Sequence, residues 1–200
     1  MLKTAKTALA LAAFGLASLW SAAAMAGPYE DGSAAYRQGN FSRAMQLWQP
    51  VATSNPEVQN DIGTLYMDGK GVPQNTTEAL RWIARSAANG SSSGQNNLGG
   101  LYRDGKGVQR DFGKAFAFFA ASAAQGNGGG QFNLGLVYAM GQGTRVDNLR
   151  AYMWFDIASN QVPKAAGFRD QIRAHMTPAD FNNARSMEQR CRQSNYKACN

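Results

Sequence analysis

The chain has 200 residues, 44% of them apolar and 16% charged, with 22 glycines. That balance sustains one domain or a short repeat array and excludes a disordered polyelectrolyte. The formal charge is +7, and it is unevenly placed: residues 27–163 hold 11 Lys/Arg against 10 Asp/Glu, whereas residues 164–200 hold 7 against 3. The basic character belongs to the C-terminal tail, and the chain shows no reader motif that would assign those charges to nucleic acid.

The chain opens with Lys3 and Lys6, an apolar run from about Thr7 to Trp20, and Ala24-Met25-Ala26 ahead of Gly27-Pro28. This pattern predicts a signal peptide over residues 1–26, cleaved after Ala26, and a mature chain of net charge +5 in the periplasm or outside the cell. The alternative is an uncleaved anchor, because about 20 predominantly apolar residues can cross a bilayer. No other window reaches that hydrophobic length, so cleavage leaves no stable membrane span. The only cysteines, Cys191 and Cys199, lie in the last ten residues. In an oxidising compartment they are expected to form one disulfide that ties down the terminus. They lack the spacing of a redox-active Cys-x-x-Cys pair, and with the single histidine, His175, they are too few for a structural zinc site. No cofactor or metal is expected.

An internal repeat dominates the rest. Ile62-Gly63-Thr64-Leu65-Tyr66-Met67-Asp68-Gly69-Lys70-Gly71-Val72 recurs 36 residues later from Leu98 to Val108, and 36 later again from Leu134 to Thr144. The same step relates Ala79, Ala115 and Ala151, then Trp82, Phe118 and Trp154, then Ile83, Phe119 and Phe155. Each unit holds two helical patterns. In the second, Ala115, Phe118, Phe119, Ser122 and Ala123 fall on one face. Asn75, Asp111 and Asp147 are the expected N-caps of these second helices. In the first, Ile62, Leu65 and Tyr66 make the apolar stripe and Gly63 sits inside it. A helix-interior glycine costs about 1 kcal/mol relative to alanine, so its recurrence predicts a neighbouring helix too close for a side chain. The Gly-x-Gly pair then ends the helix at positive φ.

A unit of helix, glycine turn and helix cannot bury its apolar face alone, so neighbouring units must stack into a solenoid. At these motifs the chain resembles the Sel-1-like repeat, a longer-looped relative of the tetratricopeptide repeat. The resemblance implies an all-α, right-handed α-solenoid with three units, at 56–90, 91–126 and 127–162. Residues 27–55 read as a partial unit of tetratricopeptide type, with Gly39, Phe41, Ala44 and Trp48 but no Gly-x-Gly insertion. Thr144 and Ser159-Asn160 depart from the pattern in the last unit. The glycine-rich stretches Asn89–Gly94 and Gly126–Gly130 predict flexible joints. Residues 163–200 form the expected cap: a short helix near Ala165–His175, then one opened by Thr177-Pro178-Ala179-Asp180 and carrying Phe181, Ala184, Met187 and Cys191 on one stripe.

For catalysis the inventory is thin. His175 has no nucleophile placed near it by any recognisable motif, and Asp68 and Asp104 recur with the unit as expected caps of its turn. Gly69-Lys70-Gly71 and Gly105-Lys106-Gly107 lack phosphate-loop spacing. Binding is the stronger reading, because first helices line the concave side of such a superhelix. By resemblance to tetratricopeptide grooves, the residues before the leucine-glycine pair face that surface: Asp61, Asn97 and Asn133. An asparagine ladder can hydrogen-bond a peptide backbone without reading its sequence, or bond within its own repeat instead. Neighbouring groove positions are Asn60, Thr64 and Met67, then Asn96 and Arg103, then Phe132 and Leu136. Phe132 and Leu136 are the expected apolar anchor, and Arg103 the expected partner of a carboxylate. Arg169, Arg173, Arg185, Arg190, Arg192 and Lys197 offer a second surface, for weak contact with anionic envelope polymers or lipid head groups, or else a solvated face.

The resemblance implies a non-catalytic protein-interaction module, an adaptor or regulator of the bacterial cell envelope that binds a peptide or protein partner. The alternative is a cell-wall-active enzyme acting on a β-lactam or peptidoglycan, or an accessory protein of one. Relatives linked to β-lactams carry a cysteine pair in each unit, and these repeats have none.

Overall fold

The computed structural model describes residues 27–199, so the expected signal peptide lies outside the described residues. The described residues form ten α-helices and one short 3-10 turn at Gln49–Val51. The helices are α1 (Pro28–Arg37), α2 (Phe41–Trp48), α3 (Pro56–Asp68), α4 (Thr76–Ala88), α5 (Ser92–Asp104), α6 (Phe112–Ala124), α7 (Gly128–Met140), α8 (Asn148–Ala158), α9 (Ala165–Arg173) and α10 (Pro178–Gln193). They pack as successive antiparallel pairs, α1 with α2 through α7 with α8, each pair leaning on the next. The architecture is an α-solenoid.

Helix boundaries follow from local chemistry. Asn75, Asp111 and Asp147 each accept the backbone N–H three residues on, as the second-helix N-caps expected of them. Asn55, Ser91 and Asn127 do the same for α3, α5 and α7. First helices stop where Gly69, Gly105 and Gly141 turn left-handed at φ of 67°, 67° and 68°, a conformation that costs an L-residue steric strain and glycine none. Asp68 and Asp104 do not cap this turn: they pair with Lys70 and Arg103 on the surface.

The recurrent helix-interior glycine has the predicted cause. A Cβ on Gly63 would lie 2.6 Å from Ile83 Cγ1, one on Gly99 2.8 Å from the Phe119 ring, and one on Gly135 2.7 Å from the Phe155 ring. Phe119 and Phe155 are fully buried, each burial contributing roughly 1.5–3 kcal/mol. Gly32 on α1 does the same against Trp48, so α1 and α2 form a unit of the same design, with a shorter turn.

The glycine-rich joints differ from expectation. Gly94, Gly128, Gly129 and Gly130 are not flexible linkers but the first turns of α5 and α7. Gly94 and Gly130 let those turns press on the preceding second helix, where a Cβ would come within 2.2 Å of Ser86 Oγ and 2.4 Å of Ser122 Oγ. Both serines are engaged, donating to Pro56 O and Ser92 O at 2.7 Å.

At the far end α9 and α10 cover α8. Thr177 and Asp180 form a reciprocal capping box, Ala184 is buried, and Cys191 joins the last core cluster. Cys191 and Cys199 are joined as a disulfide, their Cα atoms 4.4 Å apart. The loop they close passes through left-handed Asn195 and Tyr196 and tucks the Tyr196 ring onto that cluster.

Adjacent glycines in α5 separate the two contributions of a missing side chain. Gly99→Ala forces a methyl onto the buried Phe119 ring and should lower stability by about 1–3 kcal/mol. Gly100→Ala meets nothing within 4 Å and should raise stability by up to about 1 kcal/mol through helix propensity alone. Denaturant titration of both variants checks the pair, and equal effects would refute the close-approach explanation.

Candidate functional site

Stacking first helices beside one another leaves a concave groove of about 640 Å³. Its walls come from four consecutive units: Ser33, Tyr36 and Arg37 of α1, Asp61, Thr64, Met67 and Asp68 of α3, Asn96, Asn97, Gly100 and Arg103 of α5, and Asn133 of α7. Trp48 and Ile83, behind α1 and α3, close the floor. Seven of the ten residues expected from the sequence line it.

The other three do not. Phe132 is buried in the last core cluster, against Phe155 and Phe168 at ring-centroid distances of 5.7 and 5.3 Å, with Lys164 over its other face. Leu136 is half-buried against the same cluster. The expected apolar anchor is therefore interior packing, because α9 covers the end of the array where an open groove was expected. Asn60 is buried too and serves as an acceptor inside the ladder.

The asparagines bond across units, neither free for a ligand in full nor confined to their own repeat. Asn97 Nδ2 donates to Asn60 Oδ1 at 2.7 Å, and Asn133 Nδ2 donates to Asn96 Oδ1 at 2.8 Å. Each rung pins one first helix to the next. Arg103 is likewise engaged: it grips Asp104 through Nε at 2.7 Å and a terminal nitrogen at 3.1 Å, and donates to Asn133 Oδ1 at 3.2 Å. That bidentate pair holds the Asp104 carboxyl below its ordinary range and makes Arg103 a wall of the groove, already neutralised, where a free carboxylate receptor was expected.

Ser33, Tyr36 and Arg37 were missed. A signal was available, since Gly32 precedes its packing partner Trp48 by sixteen residues and Gly63 precedes Ile83 by twenty. Allowing for the shorter turn, Ser33, Tyr36 and Arg37 occupy the register of Thr64, Met67 and Asp68.

The model of the Sel1 repeat matches residues 20–54, 56–91, 92–127 and 129–162, well over half of the chain. The chain belongs to the Sel1 repeat family. Among solved structures it is similar to a Sel1 repeat protein from Oxalobacter formigenes, with 29% identity and a TM-score of 0.64, the match covering 70% of this chain and 59% of that one. It also shares its fold with c5321, a protective antigen present in uropathogenic Escherichia coli strains, at 23% identity and a TM-score of 0.70 over 86% of this chain and 42% of that one. The matches thus span about half the length of these relatives. No curated protein shows significant similarity to the chain. Sel1 repeats generally serve as protein-interaction scaffolds, mostly without catalytic activity.

The basic C-terminal residues of this Sel1 protein are in part engaged within the cap. Arg169 pairs with Asp156 at 3.0 Å and with Asp170, Arg192 with Glu188 at 2.7 Å, and Arg185 with Glu188 at 3.4 Å. Arg173 lies over the Phe181 ring at 4.2 Å. Only Arg190 and Lys197 of the six project without such engagement among the described residues. His175 is exposed in the turn between α9 and α10.

One groove residue is electrostatically out of line. Asp61 takes part in no ion pair among the described residues, and its one side-chain bond is a long 3.4 Å contact from Asn60 Nδ2. Burial pushes its carboxyl up to about 6, with Glu57 adding to the rise and the Asn60 bond opposing it. The folded state therefore holds this proton more tightly than the unfolded chain. The stability linked to it is fully present below about pH 4 and is lost as pH rises through about 6, a loss of roughly 2–3 kcal/mol. Asp61→Asn, which installs the residue found at 97 and 133, should raise the melting temperature by several degrees at pH 7.5 and leave it unchanged near pH 4. Thermal unfolding followed by circular dichroism at the two pH values measures this, and a gain that is equal at both would show that the carboxyl charge is not responsible.

Proposed function

We propose that this protein is a non-catalytic interaction module of the bacterial cell envelope, an adaptor or regulator that receives a peptide or protein segment in its concave groove. The observation that carries the reading is the groove itself: side chains from four first helices, three of them tied in register by the amide rungs, present polar and aromatic groups along one continuous trough. Family membership supports a binding role. Export is supported by the leader pattern of residues 1–26 and by the Cys191–Cys199 disulfide, which persists in oxidising compartments. The likeness to a protective antigen of uropathogenic Escherichia coli is in keeping with that location. The proposed contact residues are Asp61, Thr64, Met67, Asn96, Asn97, Arg103 and Asn133, joined by Ser33, Tyr36 and Arg37.

The groove reading is tested by placing a photo-crosslinking side chain at one of four exposed positions in the full chain in cells. Arg37 and Lys106 stand at the groove rim, and Arg81 and Ala117 stand on second helices. A discrete adduct from the two rim positions, absent from the other two, supports it. Adducts of equal yield from all four positions, or from Arg81 and Ala117 alone, would overturn it.

A further inference from the structure

Acids elsewhere on the solenoid are mostly matched: Asp68 by Lys70, Glu78 by Arg81, Asp104 by Arg103, Asp111 by Lys114, Asp147 by Arg150, and Asp156 and Glu188 by the arginines of the cap. Asp61 is the exception inside the groove. It stands in the column that begins with Glu30 on α1 and continues as Asn97 and Asn133, and those two asparagines donate an amide back to the asparagine of the preceding unit. In the register of that acceptor, the unit before Asp61 carries Tyr29, and the column there changes from a donor to an acceptor carrying negative charge. The side chain that would have closed the next rung is replaced by one whose oxygens face the cavity wall with a single weak partner.

Among the described residues, the surroundings of Asp61 supply no compensating cation. On its own helix stand Glu57 and the already paired Asp68, and on α1 stand Tyr29, Glu30 and Arg37. Across the groove, Arg103 is bound by Asp104. Arg37 and Lys106 are exposed at the rim, where water solvates them. Tyr29 feels the excess of negative charge directly, for Asp61, Glu57 and Glu30 all add to the upward push that burial gives its hydroxyl.

We propose that Asp61 is the specificity-determining residue of the groove, receiving the ammonium or guanidinium of a lysine or arginine in an extended segment of the partner protein. This rests on the groove reading above and names the chemistry of its occupant. A cation seated there donates its N–H groups to the carboxylate's idle lone pairs and replaces the hydration that burial removed, so that charge complementarity inside a half-buried trough discriminates against neutral and acidic side chains. On the same wall, Thr64 sets a hydroxyl oxygen beside the charge while its O–H donates to Asp61 O at 2.8 Å, and the edge of buried Met67 adds an apolar contact for the methylene stem. Because the cation binds the ionised form, the selectivity carries a pH signature: it is full above the carboxyl's raised value of about 6 and fades as the proton takes the cation's place below it.

The test uses full mature chain and pools of capped heptapeptides, each with one fixed central residue and the remainder randomised. The central residue is lysine, arginine, norleucine or glutamate. Retention is read at pH 7.5 and pH 5 on the parent, on Asp61→Asn and on Asp61→Glu, with folding of each confirmed by circular dichroism. Lysine and arginine pools retained about tenfold over norleucine and glutamate at pH 7.5, with the ratio falling toward one at pH 5, support the proposal. The preference should vanish in Asp61→Asn and persist in Asp61→Glu. Norleucine retained as well as lysine by the parent, an undiminished lysine preference in Asp61→Asn, or retention of no pool overturns it. If rim-specific crosslinks form while any of those results holds, the groove reading stands and only its proposed cation selectivity falls.

Discussion

Each unit of this solenoid depends on one contact, the seat of a first-helix glycine on a large side chain of its own second helix. Gly32 on Trp48, Gly63 on Ile83, Gly99 on Phe119 and Gly135 on Phe155 are the same arrangement four times over. Removing a Cβ costs the helix about 1 kcal/mol of propensity, and what it gains is a second helix near enough to bury a whole aromatic or β-branched side chain at 0–2% exposure. Once that separation is fixed, the lean of one pair on the next is set by the smaller approach of Gly94 and Gly130 to Ser86 and Ser122. Shape, and with it the groove, is a consequence of where the chain omits side chains.

The groove is held by polar contacts because the apolar residues are already committed between the helices of each pair. Asn97 to Asn60 and Asn133 to Asn96 tie neighbouring first helices at nearly equal distances of 2.7 and 2.8 Å, and Arg103 adds a third tie to Asn133. Half-buried amide rungs of this kind specify register, since a slip by one residue would leave each of them unpaired. The ladder that looks from the sequence like a ready-made peptide receptor is in large part the mortar of the array. The binding capacity that remains lies in what the rungs do not consume: Asp61 and Thr64 on α3, and the Tyr36 and Arg37 side of α1.

The repeat made most of this legible. A 36-residue period with a glycine, a Gly-x-Gly turn and an N-cap in fixed places determines helix, turn and helix with little ambiguity, and Asn75, Asp111 and Asp147 act as read. Two readings failed for a common reason: each concerned what lies beyond one unit. Gly128, Gly129 and Gly130 have poor helix propensity, yet they are helical because Asn127 caps them and Ser122 presses on them from the preceding unit. Phe132 sits at a groove position by periodicity, yet α9 folds back and Phe168 covers it. The arginines of the tail, read as an anion-contacting or a solvated face, are engaged in part: Asp156, thirteen residues upstream, takes Arg169 at 3.0 Å, while Arg185 stays exposed.

Asp61 marks the point at which local stability and function diverge. A half-buried carboxylate beside Glu57, with one 3.4 Å hydrogen bond, destabilises the folded chain at neutral pH. The same column supplies an inexpensive neutral substitute at 97 and 133, so the fold itself does not require an acid there. Charge that is unfavourable to the free protein and becomes favourable only when a counter-charge arrives is a property of binding surfaces, where strain in the unbound state is relieved in the complex. The remainder of the groove fits that reading: its other acids and Arg103 are neutralised within the chain, which leaves Asp61 as the groove carboxylate without a charged partner among the described residues.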